Sequence, residues 1–160
     1  MHKSRSLPYR PGVGIVLING DGLIWIGQRI DISDSEQWQM PQGGIDGSEE
    51  PAVAAHRELV EETGTSNAKI IAETQGWHTY DLPVGSKSPK GRYRGQRQKW
   101  FAMHFTGVDS DFNIETPPGG QKAEFQAWRW ETANEVKRLI VAFKRPVYEA
   151  VLSEFSSLLR

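Results

Sequence analysis

Apolar residues recur along this chain with two different periods. Val13-Gly14-Ile15-Val16-Leu17-Ile18-Asn19 and Leu23-Ile24-Trp25-Ile26-Gly27-Gln28-Arg29 are short, β-branched and apolar, the pattern of well-buried strands. Gly20-Asp21-Gly22 between them predicts a hairpin turn. Residues 68–77 and 124–130 read as further strands, and 96–105 alternates polar with apolar as a strand with one wet face does. A helical period takes over in three places. Pro51 suits a first helical position and Gly64 a terminator, with Ala52, Ala55, Leu59 and Val60 as the packing face between them. Thr132 with Glu135 forms a capping box for a second helix. After Pro146, Val147, Val151, Phe155 and Leu158 or Leu159 make the stripe of a third.

Residues 30–37, 83–95 and 107–123 are rich in polar residues, glycine and proline and predict loops. Residues 1–12, with Pro8 and Pro11, predict a partly ordered lead-in. Neither a repeat nor a linker interrupts 13–160, so the pattern predicts one α/β domain with a mixed sheet and about three helices.

Composition narrows the class. The 160 residues, 38% hydrophobic and 24% charged, are enough for one soluble globular domain. Without cysteine there is no disulfide framework and no thiolate chemistry. No apolar run approaches the ~20 residues of a membrane span, and the first twelve residues lack the apolar core of a signal peptide. The expected compartment is the cytoplasm, with no membrane contact and no obligate protein partner evident.

The net charge of −1 hides an uneven distribution. Glu58, Glu61 and Glu62 stand at i, i+3 and i+4, so one helix face carries three carboxylates. Such a set of hard oxygen donors suits a divalent cation, Mg²⁺ or Mn²⁺. Lys87, Lys90, Arg92, Arg94, Arg97 and Lys99 fall within 13 residues that hold no acid, a candidate track for phosphates. Arg97 and Lys99, at alternate strand positions, share a face. Trp38, Trp100 and Trp128 are expected in the core. Tyr80 and Phe143 have polar or cationic neighbours and are candidates to stack on bases, with Arg29 as a guanidinium platform opposite Phe143. His56, His78 and His104 have no ligand-like spacing.

The acidic helix sits in a longer pattern. Gly43, Glu49 and Arg57-Glu58-Leu59-Val60-Glu61-Glu62-Thr63-Gly64 resemble the Nudix box, G-x(5)-E-x(7)-R-E-U-x-E-E-x-G-U, with Thr65 at the last, usually aliphatic, position. Tyr9-Arg10-Pro11, Trp38-Gln39-Met40-Pro41-Gln42-Gly43-Gly44, Gly95-Gln96, Gln98-Lys99-Trp100-Phe101, Glu124-Phe125 and Trp128-Arg129-Trp130 extend the likeness. They are similar to a Nudix subgroup, the bacterial RNA pyrophosphohydrolases and the dinucleoside polyphosphate hydrolases.

That resemblance implies a Nudix α/β/α sandwich around a central mixed sheet. It also implies metal-dependent hydrolysis of a phosphoanhydride in a nucleotide polyphosphate or 5′-triphosphorylated RNA. Glu58, Glu61 and Glu62 are the implied metal ligands, joined by the backbone carbonyl of Gln42 or Gly43 and by a glutamate from outside the box, for which Glu124 is the candidate. Arg57 is expected to hold the glutamates in place, with Glu49 as a further partner. Glu58 and Glu124 both remain choices for the general base. Arg10, Gln96 and Lys99 are the implied phosphate contacts, with Arg29 and Phe143 sandwiching a base. The other readings are an 8-oxo-purine triphosphate or nucleotide-sugar pyrophosphatase, and a non-catalytic nucleotide- or RNA-binding module.

Overall fold

The computed structural model describes residues 6–30, 37–83 and 91–160. Eight strands among them join one sheet: β1 (Tyr9–Ile18), β2 (Ile24–Arg29), β3 (Trp38–Gln39), β4 (Gln42–Gly44), β5 (Ala68–Glu73), β6 (His78–Asp81), β7 (Gly95–Phe105) and β8 (Phe125–Glu131). The backbone of the sheet is β3-β2-β1-β7-β5, with β4 paired to β1, β6 to β7 and β8 to β2. β1 and β7 run parallel and the other pairs antiparallel, so the sheet is mixed as expected.

Three helices pack on it: α1 (Pro51–Thr63), α2 (Ala133–Leu139) and α3 (Arg145–Glu154). Strand alternation divides the core between the two faces. Val13, Ile15 and Leu17 of β1 point with Phe101 and Met103 of β7 toward Ala54, Ala55 and Leu59 of α1. Val16 and Ile18 point with Trp100 and Ala102 toward Val136 of α2 and Val147, Tyr148 and Val151 of α3. The result is an α/β/α sandwich. Among the described residues no helix is long and apolar enough to cross a membrane.

Strand β1 begins at Tyr9, inside the stretch expected to be a loose lead-in, because its parallel pairing with β7 runs on through Tyr9↔Gly95 and Arg10↔Gln96. β3, β4 and β6 are too short to show a periodicity, and the run read as a strand over 68–77 stops at Glu73. Helix α1 follows its punctuation. Pro51 occupies the first turn and Gly64 closes the helix at φ 82°, donating its N–H to the Val60 carbonyl. Thr65 is buried, and its hydroxyl accepts from the Asn67 N–H at 3.0 Å, which satisfies the polar group at a position usually apolar. Trp100 is fully buried, whereas Trp38 and Trp128 pack on the core's margins, Trp38 beneath the Arg129 guanidinium at 4.5 Å.

Candidate active site

Strand β4 lays its two glycines against different partners. Gly43 pairs with Val13 and faces α1, where a Cβ would overlap the Glu58 carboxyl. Gly44 pairs with Gly12 and faces the other way, where a Cβ would overlap the Arg10 guanidinium. Two glycines in succession are what lets a carboxylate and a cation approach one strand from opposite sides.

Arg57 organises the α1 side. Its Nε and Nη2 grip Glu49 at 2.9 Å each, its Nη2 also reaches the Gly44 carbonyl at 2.8 Å, and its Nη1 donates to Glu58 at 3.0 Å and Glu61 at 3.1 Å. This guanidinium holds the Glu49 carboxyl down at about 2. Glu58 behaves oppositely: burial pushes it up to about 7 despite Arg57, and Glu61 and Glu124 add repulsion. Glu62 is buried and raised well above the carboxylate range, first by desolvation and then by Glu124 and Glu58. One of its oxygens accepts from the Gln42 N–H at 2.9 Å, and Oε1 has no donor. Its contact with Glu124 sets acceptor against acceptor as long as both are ionised.

The structure therefore brings Glu58, Glu62 and Glu124 together with Gln42 and Gly43, and ties Glu61 to them through Arg57. Glu124 precedes β8, and its carbonyl accepts from the Ile30 N–H at 3.0 Å, which fixes its backbone beside β2. Among the described residues no three acidic or imidazole side chains enclose an ion as they stand, and Arg57 Nη1 occupies an oxygen of both Glu58 and Glu61. The donor set nonetheless fits a divalent cation: desolvated carboxylates that repel one another and a buried oxygen without a donor are stabilised by positive charge.

On the opposite face Arg10 of β1, Gln96 of β7 and Tyr80 of β6 lie in one cross-strand row. Gln96 accepts from Gln98, whose own carbonyl accepts from the Trp100 indole, so a chain of bonds anchored in the core orients it. Tyr80 is only 8% exposed and its hydroxyl accepts from the Gln42 side chain at 3.2 Å. The expectation that Tyr80 stacks on a base is corrected accordingly: Phe143 packs against its ring at 5.7 Å, and Lys144 lies over it at 5.4 Å. Phe143 is half-buried at the edge of this group. Arg29 is close enough to Tyr80 to act on it electrostatically.

The basic run is not one patch. Lys87 and Lys90 lie outside the described residues. Arg94 is committed to Asp81 at 2.7 Å, where Tyr9 also donates its hydroxyl. Arg97 and Lys99 do share a face, but it is the α1 face, across the sheet from Arg10 and Gln96. Arg97 stacks on Trp77 at 4.4 Å, and Lys99 donates to the Gln75 carbonyl at 3.3 Å. The expected trio of Arg10, Gln96 and Lys99 is thus divided by β7.

Two features were given no role by the sequence. Lys144, 4% exposed, donates to Gln39 at 3.1 Å and so braces the strand entering Met40-Pro41-Gln42. A cleft of about 410 Å³ is lined by Arg29, Ile30, Gln121, Lys122, Ala123 and Glu124. A lysine two residues before Glu124, in a loop without acids from Thr116 to Ala123, was the available signal.

A model of the NUDIX domain matches residues 8–151. An RNA pyrophosphohydrolase of Bradyrhizobium diazoefficiens is 52% identical over 164 residues, covering 99% of this chain and 98% of its own. One from Mesorhizobium japonicum is 53% identical, covering 97% and 94%. Among solved structures, a C. elegans Ap4A hydrolase binary complex superposes with a TM-score of 0.65 at 17% identity, over 92% of this chain and 98% of that one. The E. coli dihydroneopterin triphosphate pyrophosphohydrolase does so at 0.67 and 19%, over 89% and 96%. These two likenesses show the shared fold.

Proposed function

The chain belongs to the Nudix family of phosphoanhydride hydrolases, and on that premise we propose that it removes the terminal phosphates from 5′-triphosphorylated RNA. The observation that carries this reading is the division of labour across β4. Mutually repelling carboxylates lie under Gly43, and a cation and amides lie beyond Gly44. A polyphosphate laid along the twin glycines meets both.

In this account Glu58, Glu61, Glu62 and Glu124, with the carbonyl of Gln42 or Gly43, hold Mg²⁺ or Mn²⁺. The ion supplies a Lewis acid that neutralises phosphate charge and lowers the pKa of bound water. Arg57 keeps Glu58 and Glu61 from swinging away and offsets part of their repulsion when the site is empty. Arg10 and Gln96 grip phosphate oxygens, and Arg29 and Phe143 take a base between them. Water attacks a phosphorus of the chain, and the bridging oxygen leaves with the bonding pair. The water's proton passes to a carboxylate, Glu58 or Glu124. The products are a 5′-monophosphate end and pyrophosphate, or phosphate in two steps.

The test is to incubate the protein with Mg²⁺ and, separately, 5′-triphosphorylated RNA, diadenosine tetraphosphate, an 8-oxo-purine triphosphate and a nucleotide sugar. The reading expects the highest kcat/KM on RNA, with a 5′-monophosphate product. Preference for the oxidised purine or the sugar assigns the chain to another Nudix activity, and binding without turnover makes it a silent module.

A further inference from the structure

The cleft beside Glu124 runs between two parts of the proposed site. One wall carries Arg29, the base platform, and Ile30, an apolar side chain left 49% exposed. The other carries Gln121, Lys122 and Ala123, ending at Glu124 among the catalytic carboxylates. Its volume of about 410 Å³ falls in the range of ligand pockets, roughly 300–1,000 Å³.

The cations around the site differ in how far they are committed. Arg57 is bonded to three carboxylates, Arg94 to Asp81, Lys144 to Gln39 and Lys99 to the Gln75 carbonyl, and Arg97 lies on Trp77. Lys122 is exposed, lines the cleft, and makes no hydrogen bond or ion pair with any described residue. Its loop turns through Gly119 and Gly120, both at positive φ, which sets the following residues against β2. Ile30 and Glu124 are joined by a backbone bond, so the cleft floor is fixed, while its lysine head group is not engaged by any of the described residues.

A nucleotide that places its 5′-phosphates at Glu124 and its base at Arg29 lays its ribose along this cleft. On RNA, unlike a free nucleotide, the next group on that ribose is a 3′-phosphodiester. We propose that Lys122 binds this first phosphodiester, with Gln121 beside it, and that the cleft thereby selects RNA ends over single nucleotides. This rests on the RNA reading above for the placement of the 5′ end.

The experiment compares the wild type with Lys122→Ala and Lys122→Arg. One arm measures KM and kcat on a 5′-triphosphorylated hexaribonucleotide and on ATP. A second, without Mg²⁺, measures Kd for the 5′-monophosphorylated hexamer and for AMP as a function of salt. For Lys122→Ala the expected result is an RNA KM raised about fivefold relative to that for ATP, with the change in KM rather than kcat. The hexamer Kd should weaken by a similar factor, and its salt slope should fall by about 0.7, one phosphate's share for a single strand. Lys122→Arg should recover both. Equal losses on RNA and mononucleotide, or an unaltered salt slope, overturn the inference. If the wild type fails to cleave the RNA at all, the RNA reading falls, and the metal-free binding arm still decides whether Lys122 contacts a phosphodiester.

Discussion

Gly43 lies directly on the carboxyl of Glu58: a single methyl group at this glycine would occupy the space of the carboxylate. The contact explains why β4, three residues long, can place backbone carbonyls beside the acids of α1. It also means that the position of Glu58 is set from two sides, by Arg57 Nη1 and by the absence of a side chain at Gly43.

Gly43→Ala is therefore expected to fold and to fail in catalysis. The obstructing group is the end of a flexible side chain, which can swing aside at a cost of about 1–3 kcal/mol of overpacking. Displaced by even ~1 Å, Glu58 loses its alignment, and kcat should fall on the order of 10²-fold. Circular dichroism and steady-state kinetics check the pair of effects. Native kcat would show that Glu58 is not held where the chemistry needs it.

Arg57→Lys should behave almost as badly as Arg57→Ala. One guanidinium fork satisfies Glu49, Glu58, Glu61 and the Gly44 carbonyl at once, and an ammonium cannot reproduce that geometry. The expected loss is about 10-fold or more in kcat, with weaker apparent affinity for Mg²⁺. Rescue by lysine to wild-type kinetics would reduce Arg57 to a point charge.

Stability without metal should fall as pH rises from about 4.5 to about 7. In that window folded Glu58, pushed up to about 7, still holds a proton that the unfolded chain has released, and Glu62 shifts in the same direction. The slope is at most about 1.4 kcal/mol per pH unit for each such group. Glu49, held down at about 2, acts with the opposite sign but below about 4.5. Thermal unfolding in EDTA measures this. Mg²⁺ should flatten the profile, and Glu58→Gln should remove part of the slope. A Tm that climbs across the window contradicts the desolvated-acid account.

Arg10→Ala should raise KM for triphosphorylated RNA well beyond Arg97→Ala. Arg10 rests on Gly44 in the row with Gln96, whereas Arg97 lies on the α1 face against Trp77. Equal effects in parallel KM measurements would show that both faces of β7 touch phosphate.

These contrasts mark where the sequence was legible. Helix α1 and its acids could be read because Pro51, Gly64 and the i, i+3, i+4 spacing are local signals. Glu124 could be proposed from its position at the head of a strand. The separation of Lys99 from Gln96 follows from alternation alone, but the identity of each face depends on pairing between β1 and β7, whose partners lie 86 residues apart in sequence. Arg94 looked like a free cation until β6 delivered Asp81 to it. Tyr80 was a stacking candidate by its polar neighbours until α3 and its preceding turn covered the ring. Lys122 stood alone in a loop, and only the cleft gave it a context.

The most direct measurement is Mg²⁺-dependent release of pyrophosphate or phosphate from 5′-triphosphorylated RNA by the wild type and by Glu62→Gln. The substituted amide can keep the bond from the Gln42 N–H while removing the charge. The account predicts a loss on the order of 10³-fold with the fold and Tm retained. Turnover by Glu62→Gln at the wild-type rate would contradict it.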